Sequence, residues 1–538
     1  MADAVVVGAG HNGLVAANLL ADAGWDVVVC EEQDTPGGAV ASADYLGPGY
    51  VADVCSAFYP LAVASPHIQG LHLEDHGLEW CHAPSVLAHP LLDGRAAVIS
   101  REPEETAAGL DALGQGDGDA WRRLCGLWDE IGHHLVRVVM DPFPPLRSGA
   151  RLAGRLGLAG GLRFARFSLL PVRHLAAEEL RGPGSLLIAG CALHTDLTPE
   201  SAASSIYGWL LAMLGQQVGF PVPRGGAGKL AESLVRRLES GGGRIRCRSG
   251  VRSIVIRRGR AVGVVTSGGE VVKARRAVLA DVAAPILYGG LVGWDQLPAR
   301  LRDDMSRFEW DDATVKVDWV LKGGIPWTAE GARQAGTVHV SEDLDEMTAY
   351  GADLARGRVP ARPFVLVGQM TTADRSRSPA GTEVVWGYSH VPREVRGDSG
   401  DGGIAGRWDE HEKEAFAARI EAQIERFAPG FRQRIVVRHI LAPPDLQAHD
   451  ASLVGGAING GTAALHQQLM FRPTPGLGHP TTPIRGLYLA SSSAHPGGGT
   501  HGACGAHAAR AALNLEQGAR RLFTVPAASA ARRLAGQG

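Results

Sequence analysis

Residues 4–38 read AVVVGAGHNGLVAANLLADAGWDVVVCEEQDTPGG, and the order of residue types in that stretch decides the fold. Ala4–Val7 is short, apolar and rich in branched side chains, the pattern of a strand buried on both faces. Gly8, Gly10 and Gly13 follow at once as G-x-G-x-x-G. Leu14–Ala23 has helical spacing and stops at Gly24, and Val27–Cys30 is a second buried strand with Glu31 at its end. Each glycine has a physical task. Gly8 permits a tight turn, Gly10 lets backbone approach a pyrophosphate, and Gly13 lets the helix lie close on the strand. The helix N-terminus turns its free N–H groups and the positive end of its dipole towards phosphate oxygens. Glu31, 18 residues past Gly13, is spaced to accept ribose hydroxyls. A glycine-rich β–α turn without a ligand would share the glycines, but strand, helix and acid together favour a dinucleotide site.

Composition bounds what surrounds this unit. At 538 residues the chain exceeds one hydrophobic core, so two or more interleaved domains are expected. Apolar residues at 45% and charged residues at 20% suit a soluble globular protein. A net charge of −3 offers no basic field for nucleic acid, and 6% aromatic content offers few stacking platforms for bases. The seven cysteines are scattered without a C-x-x-C, which argues against a disulfide framework, a metal site or a dithiol redox centre. A strand beginning at residue 4 leaves no room for a signal peptide, and no 18-residue apolar run suggests a membrane span. The expected address is the cytoplasm.

Further along, Gly49–Asp53 closes the first unit, with Asp53 read as a turn cap or a residue near the cofactor. Residues 60–219 read as mostly helical, with helices over Glu104–Leu113, Asp119–Val139 and Glu200–Leu214. Within them Arg147–Arg173 carries Arg147, Arg151, Arg155, Arg163, Arg166 and Arg173 among apolar residues, with no acid between Asp141 and Glu178. Such a segment suits an anionic membrane surface, the cover of an apolar tunnel, or an arginine-rich cap on a helical domain. Residues 220–285 return to the cofactor domain with a helix at Lys229–Ser240 and short strands through Leu279. Residues 286–475 offer long β-branched strands at Thr314–Leu321, Gly336–Ser341, Phe364–Met370 and Glu383–His390, an antiparallel sheet with one covered face, and a helix at Glu412–Phe427. Gly455–Gly461 could border a ligand. Residues 476–525 repeat strand, glycine loop and helix around Leu487–Ala490 and Ser491–Gly499, and 526–538 read as a tail. No second G-x-G-x-x-G lies between a strand and a helix.

The pair Gly37-Gly38 behind Glu31 resembles FAD proteins of the glutathione-reductase-like superfamily. GAGHNGL (Gly8–Leu14), E-x5-GG (Glu31–Gly38), PRGGAGKL (Pro223–Leu230) and GLYLASSSAHPGGG (Gly486–Gly499) together resemble the phytoene desaturase-like flavoproteins. That wider group includes the pyridine nucleotide-disulphide oxidoreductase domain proteins and lies in the amine-oxidase-like superfamily. The resemblance implies an α/β fold. Its split Rossmann-like FAD domain, of glutathione-reductase and monoamine-oxidase type, occupies 1–59, 220–285 and 476–525. An α+β substrate domain is inserted at 60–219 and 286–475. It implies that Gly8, Gly10 and Gly13 hold the pyrophosphate, Glu31 the ribose, and Val251 the adenine through backbone. Gly37, Gly38 and Ala39 would follow the flavin, and Ser492, Gly498 and Gly499 would lie near the flavin and ribityl chain. Ala39 stands where carotenoid desaturases usually carry Arg or Lys, and Ser491–Ser493 where many carry glycines.

FAD would accept a hydride and the protein would orient the substrate and take a proton. His495, in the loop that should face the flavin, is the candidate proton acceptor, or else a histidine that bonds loop backbone. Cys504 reads as a small buried residue rather than a flavin tether. The favoured expectation is dehydrogenation or desaturation of a hydrophobic small molecule, with electrons passed to O2 or a quinone. Amine oxidation shares the layout, and amine oxidases often frame the flavin with aromatic residues and a lysine. A non-redox flavin isomerase and a non-catalytic flavin-binding protein complete the alternatives.

Overall fold

In the computed structural model, which describes residues 1–114 and 116–523, the opening stretch forms β1 (Ala2–Val7), α1 (His11–Asp22) and β2 (Val27–Cys30). Every residue of both strands is buried, as an unbroken Val run between two covered faces requires. The chain then leaves this unit. A hairpin of β3 (Ser85–Pro90) and β4 (Ala96–Ile99) precedes the long helices α2 (Asp117–Met140) and α3 (Leu146–Leu169), then α4 (Gly184–Ala192) and α5 (Ser204–Val218). It returns as α6 (Gly228–Ser240), β5 (Arg244–Arg246), β6 (Val251–Arg257), β7 (Arg260–Thr266) and β8 (Val271–Ala280). A second departure supplies β9 (Ala313–Lys322), β10 (Ala335–Val340), β11 (Val365–Gln369), β12 (Thr382–Val391), α7 (Glu410–Phe427) and β13 (Ile435–Leu441). The chain comes home through β14 (Leu487–Leu489) and α8 (Ala503–Phe523). The 526–538 tail lies outside the described residues.

Two seven-stranded sheets result. The first runs β6-β7-β8-β1-β2-β5, with β14 also on β8. β8 is long enough to serve two neighbours: Val271–Lys273 pairs antiparallel with β7, and Ala274–Ala280 runs parallel to β1. Helices α1, α6 and α8 cover one face around Leu14, Leu20, Leu234 and Ala509. The second sheet runs β13-β9-β12-β11-β10-β3-β4 and is antiparallel except where β10 meets β3.

Two expectations change here. The 60–219 stretch is mostly helical but also supplies β3 and β4, which extend the second sheet. The Asp93-Gly94 turn between them, with Gly94 at φ +86°, is a hairpin signal in the sequence. The second sheet is also covered on both faces. Val315, Val317, Trp319, Val365 and Val367 pack against Phe416, Ile420, Ile424 and Phe427 of α7. At about 1.5–3 kcal/mol per fully buried aliphatic or aromatic side chain, that layer anchors the domain. The opposite face turns towards the segment at residues 45–58 and carries different chemistry, described below. Among the described residues no helix is long and apolar enough to cross a membrane.

Candidate cofactor site and active face

Gly8, at φ +88°, ends β1 with its N–H on the Cys30 carbonyl. Gly10 is the N-cap of α1 and provides no side-chain cap, so the first turn keeps its outward N–H groups. A Cβ at Gly13 would collide with the Gly8 carbonyl oxygen. The glycine pair closes on this turn: Gly37 N–H donates to the Ala9 carbonyl at 2.9 Å, and Gly38 approaches the Gly10 Cα. Glu31 is buried with both carboxylate oxygens on backbone, Oε2 accepting from Ala9 N–H at 2.7 Å and Oε1 from Gln33 N–H at 2.8 Å. It braces the turn as well as standing at the end of β2. Val251 opens β6 behind Gly250, which packs on the Glu32 side chain beside Glu31. The Ala39 carbonyl accepts from Ser56 Oγ at 3.0 Å, which ties the Gly37–Ala39 segment to residues 53–59.

The C-terminal loop lies across the start of α1. Gly499 abuts Leu61 and its backbone lies by the His11 ring, while Gly498 packs against Asn459. Ser492 presents its carbonyl to Arg472 Nε at 3.0 Å and Nη2 at 2.8 Å. Arg472, absent from the sequence reading, is fully buried and also donates to the Asn459 and Thr462 carbonyls. It clamps Gly455–Gly461 to Ser491–Gly499. Asp311 holds the first of these loops by accepting from the N–H groups of Ile458, Asn459 and Gly461.

His495 sits in this loop but turns towards the α2–α3 junction. Its Nε2 lies 3.2 Å from the Asp141 carbonyl, and its ring stacks on His507 with centroids 6.1 Å apart. Burial pushes its pKa down to about 4, so the imidazole is neutral and a weak proton acceptor. Cys504 is buried, its thiol pushed up to about 12 by burial.

Asp281, at the end of β8, is the residue near the turn that sequence reasoning missed. Its Oδ2 accepts from Gly13 N–H at 2.7 Å, and a Cβ at Gly10 would lie 2.7 Å from the same oxygen. Burial raises its pKa to about 8, with the Asp450 and Glu31 charges adding to the effect. A carboxyl oxygen on a first-turn amide occupies the kind of position a phosphate oxygen takes. The glycine N-cap, which supplies no side chain, and the side-chain-free glycines of the turn fit an anionic dinucleotide. So do the buried, unpartnered His11 Nε2, Asn459 Nδ2 and His501 Nε2.

A pH dependence follows. Asp281 keeps its proton in the folded state while the unfolded chain ionises near 3.8, so its contribution to stability declines from pH 3.8 to about 8. Above that the carboxylate opposes a pyrophosphate. FAD affinity should therefore fall as pH rises past about 8, by up to tenfold per pH unit for one linked proton. Fluorescence titration of FAD into wild type and Asp281→Asn checks this, with the variant's affinity flat over the same range.

The inner face of the second sheet carries a second group of polar and aromatic side chains. Residues directly opposite on neighbouring strands share a face. Lys316 pairs with Tyr388 and Leu441, Asp318 with Trp386 and His439, and Thr314 with His390. Tyr388 in turn pairs with Leu366, and Leu366 with His339. Lys316 Nζ lies 2.5 Å from both Asp318 oxygens, with both residues buried. Burial raises the Asp318 pKa and the Lys316 charge opposes that rise. Tyr45 donates to Asp318 at 3.0 Å and Phe58 meets Trp386 edge-on, so this face looks onto the 45–58 segment. Cys55 lies within electrostatic reach of both Asp450 and Lys316. Trp386 Nε1, His390 Nε2, His339 Nδ1, Thr337 Oγ1 and His89 Nδ1 are buried on this face without a hydrogen-bond partner. Alternation within β9 and β12 carries this set, and strand reading alone does not say which face meets the cofactor domain. Among the described residues no cluster of His, Cys, Asp or Glu could hold a metal ion.

A strand–turn–helix whose N-cap is a glycine, closed by a second glycine loop and beside a separate sheet, defines a Rossmann-like dinucleotide-binding protein. Residues 6–74 match the NAD(P)-binding Rossmann-like domain, and residues 160–286 match the flavin containing amine oxidoreductase model. The pyridine nucleotide-disulfide oxidoreductase domain-containing protein 2 of Rattus norvegicus is 26% identical, over 94% of this chain and 92% of its own. A neurosporene-forming phytoene desaturase of Cereibacter sphaeroides is 22% identical, over 93% of this chain and 92% of its own. The crystal structure of an oxidoreductase from Methanosarcina mazei shares the fold. It has a TM-score of 0.60 at 15% identity and covers 95% of this chain and 99% of its own. These matches mark an FAD-dependent oxidoreductase similar to the amine-oxidase-like flavoproteins, with phytoene desaturase-like proteins among its relatives. Bound FAD supplies the electron-accepting ring, and Gly8, Gly10, Gly13, Glu31 and the Gly37–Ala39 segment are the residues that would hold it.

Proposed function

We propose that this protein removes a hydride from a hydrophobic small molecule held between the 39–58 segment and the inner face of the second sheet. Electrons then pass to O2 or a quinone. The observation that carries this reading is that inner face: an aromatic wall of buried Trp386 and His390 and half-buried Tyr388 whose polar atoms include groups without partners. A substrate with a largely apolar body is favoured against the aromatic rings, and the unpartnered polar atoms of the wall would meet the few polar groups it carries. Lys316 and Asp318 are the ionisable pair on that wall, and they are better placed than the neutral His495 to orient the substrate or move a proton. Oxidation of an amine is the second reading, supported by the buried lysine beside Trp386 and Tyr388.

The test is an anaerobic visible spectrum of FAD-loaded protein against a panel of apolar alkenes, alcohols and amines. Bleaching by an alkene or alcohol, with recovery on adding O2 or a quinone, is the expected result. Bleaching by amines alone transfers the assignment to the second reading. Isomer turnover without an acceptor, or flavin that no donor bleaches, overturns both. In the same assay Lys316→Met should slow flavin reduction about a hundredfold, the lower end of proton-transfer contributions. FAD affinity, measured by titration, should stay within a few-fold of wild type.

A further inference from the structure

Helix α3 carries an outward apolar stripe that the enzymatic reading does not use. Gly157, at φ 62° and ψ −176°, breaks the helix in two. In the second half Phe164 and Phe167 face inward onto Trp209, with centroids 6.4 and 5.4 Å away. Leu158, Leu162, Ala165 and Leu169 recur at i, i+4, i+7 and i+11 on the opposite side. Those three leucines are 84%, 67% and 59% exposed, and Leu146 at the helix start is 76% exposed. A globular surface does not leave a row of leucines in water without cost.

The charge around the stripe is one-sided. Arg147, Arg151, Arg155, Arg163 and Arg166 lie on α3, and no acidic residue occurs between Asp141 and Glu178. Arg166 pairs with Glu178, and Arg155 reaches Glu130 only at 3.7 Å. Arg147, Arg151 and Arg163 have no ion-pair partner among the described residues. The whole chain is net negative, so this helix is a local exception to its own protein. Exposed leucines set among arginines, whose aliphatic stems can lie along an acyl boundary while their guanidinium groups meet phosphate, match one kind of surface.

We propose that α3 docks this protein on the face of a bilayer containing anionic phospholipid, lying in the interface through Leu158, Leu162 and Leu169, with Arg147, Arg151 and Arg163 on lipid phosphates. The proposal stands on the helix alone and does not depend on the reaction assigned above.

Flotation of the full-length, FAD-loaded protein tests it, with vesicles of phosphatidylcholine alone and of phosphatidylcholine mixed with phosphatidylglycerol. The expected result is flotation with the mixed vesicles at low salt and release at high salt. Leu158→Ser/Leu162→Ser/Leu169→Ser should lose that binding about tenfold or more, with flavin spectrum and melting temperature unchanged. Arg147→Gln/Arg151→Gln/Arg163→Gln, whose side chains are exposed and so spare the fold, should weaken binding to the anionic vesicles by up to about a hundredfold. Wild type that floats with neither vesicle, or serine and glutamine variants that float like wild type, overturns the proposal. A dimer of wild type in sedimentation velocity, absent in the serine variant and unaccompanied by flotation, also overturns it and reassigns the stripe to a second copy.

Discussion

A chain carrying Gly13→Val will purify colourless. The substitution leaves the strand and helix sequences intact but puts a side chain against the Gly8 carbonyl, with Asp281 Oδ2 at 2.9 Å on its other flank. The backbone of the turn has to open, and its first-turn amides lose their alignment with the phosphates. Losing two backbone hydrogen bonds to charged oxygens, at about 1.5–3 kcal/mol each, corresponds to a loss of about a hundred- to ten-thousandfold in FAD affinity. Absorbance of the purified protein and fluorescence titration with FAD measure it. Gly126→Ala is the matched control, because that glycine of α2 has open space where its Cβ would go and should retain flavin. A Gly13→Val protein with native circular dichroism and full flavin content would show that the cofactor binds elsewhere.

The second large effect is on stability. Arg377 is fully buried where the two domains meet. Its Nη1 donates to both Asp53 oxygens at 3.0 and 2.9 Å, its Nε donates to Asp374 at 3.1 Å, and its Nη2 donates to the Pro223 carbonyl at 3.2 Å. Asp53 also accepts from Ala227 N–H and Ser42 Oγ, and Asp374 accepts from Gly225 N–H. Asp53 is thus a clamp between chain segments rather than a simple turn cap. Arg377→Ala leaves two buried carboxylates without their cation, which should cost about 3–5 kcal/mol in urea unfolding. Arg377→Lys should recover only part of this, since an ammonium cannot reproduce the fork that reaches both acids and the carbonyl. An Arg377→Ala protein within about 1 kcal/mol of wild type would mean the network carries no net stability.

The sequence is legible where contacts are local. The Gly8–Gly13 turn, Glu31 and the Gly37-Gly38 pair lie within one β-α-β unit, and the structure gathers them around the same backbone. Asp281 escapes notice because 268 residues separate its carboxyl from the Gly13 amide it contacts, and nothing beside it in the sequence marks it. Lys316 was hidden differently. Alternation in β9 is visible, but whether Lys316 or Val317 meets the cofactor domain depends on how a sheet packs on a distant helix. His495 was read as facing the flavin because its loop runs there, whereas its ring turns to the Asp141 carbonyl. Backbone placement was legible, and side-chain direction was not.

The first sheet has a consequence for how the protein is made. Its strands come from three stretches of chain, with β1 beside β8 and β8 beside β14, so its parallel core joins residue 2 to residue 489. At about 5–20 residues per second, a ribosome needs roughly half a minute to a minute and a half between the first strand and the last. During that interval β1 and β2 gain β8 and β5 only about halfway, and β8 still waits for β14 while the inserted domain has its own helices and sheet to assemble. Truncated chains ending before Leu487 should therefore emerge unable to retain FAD, however complete their N-terminal glycine turn. Cofactor capture would then report that the ribosome has passed the Leu487 strand.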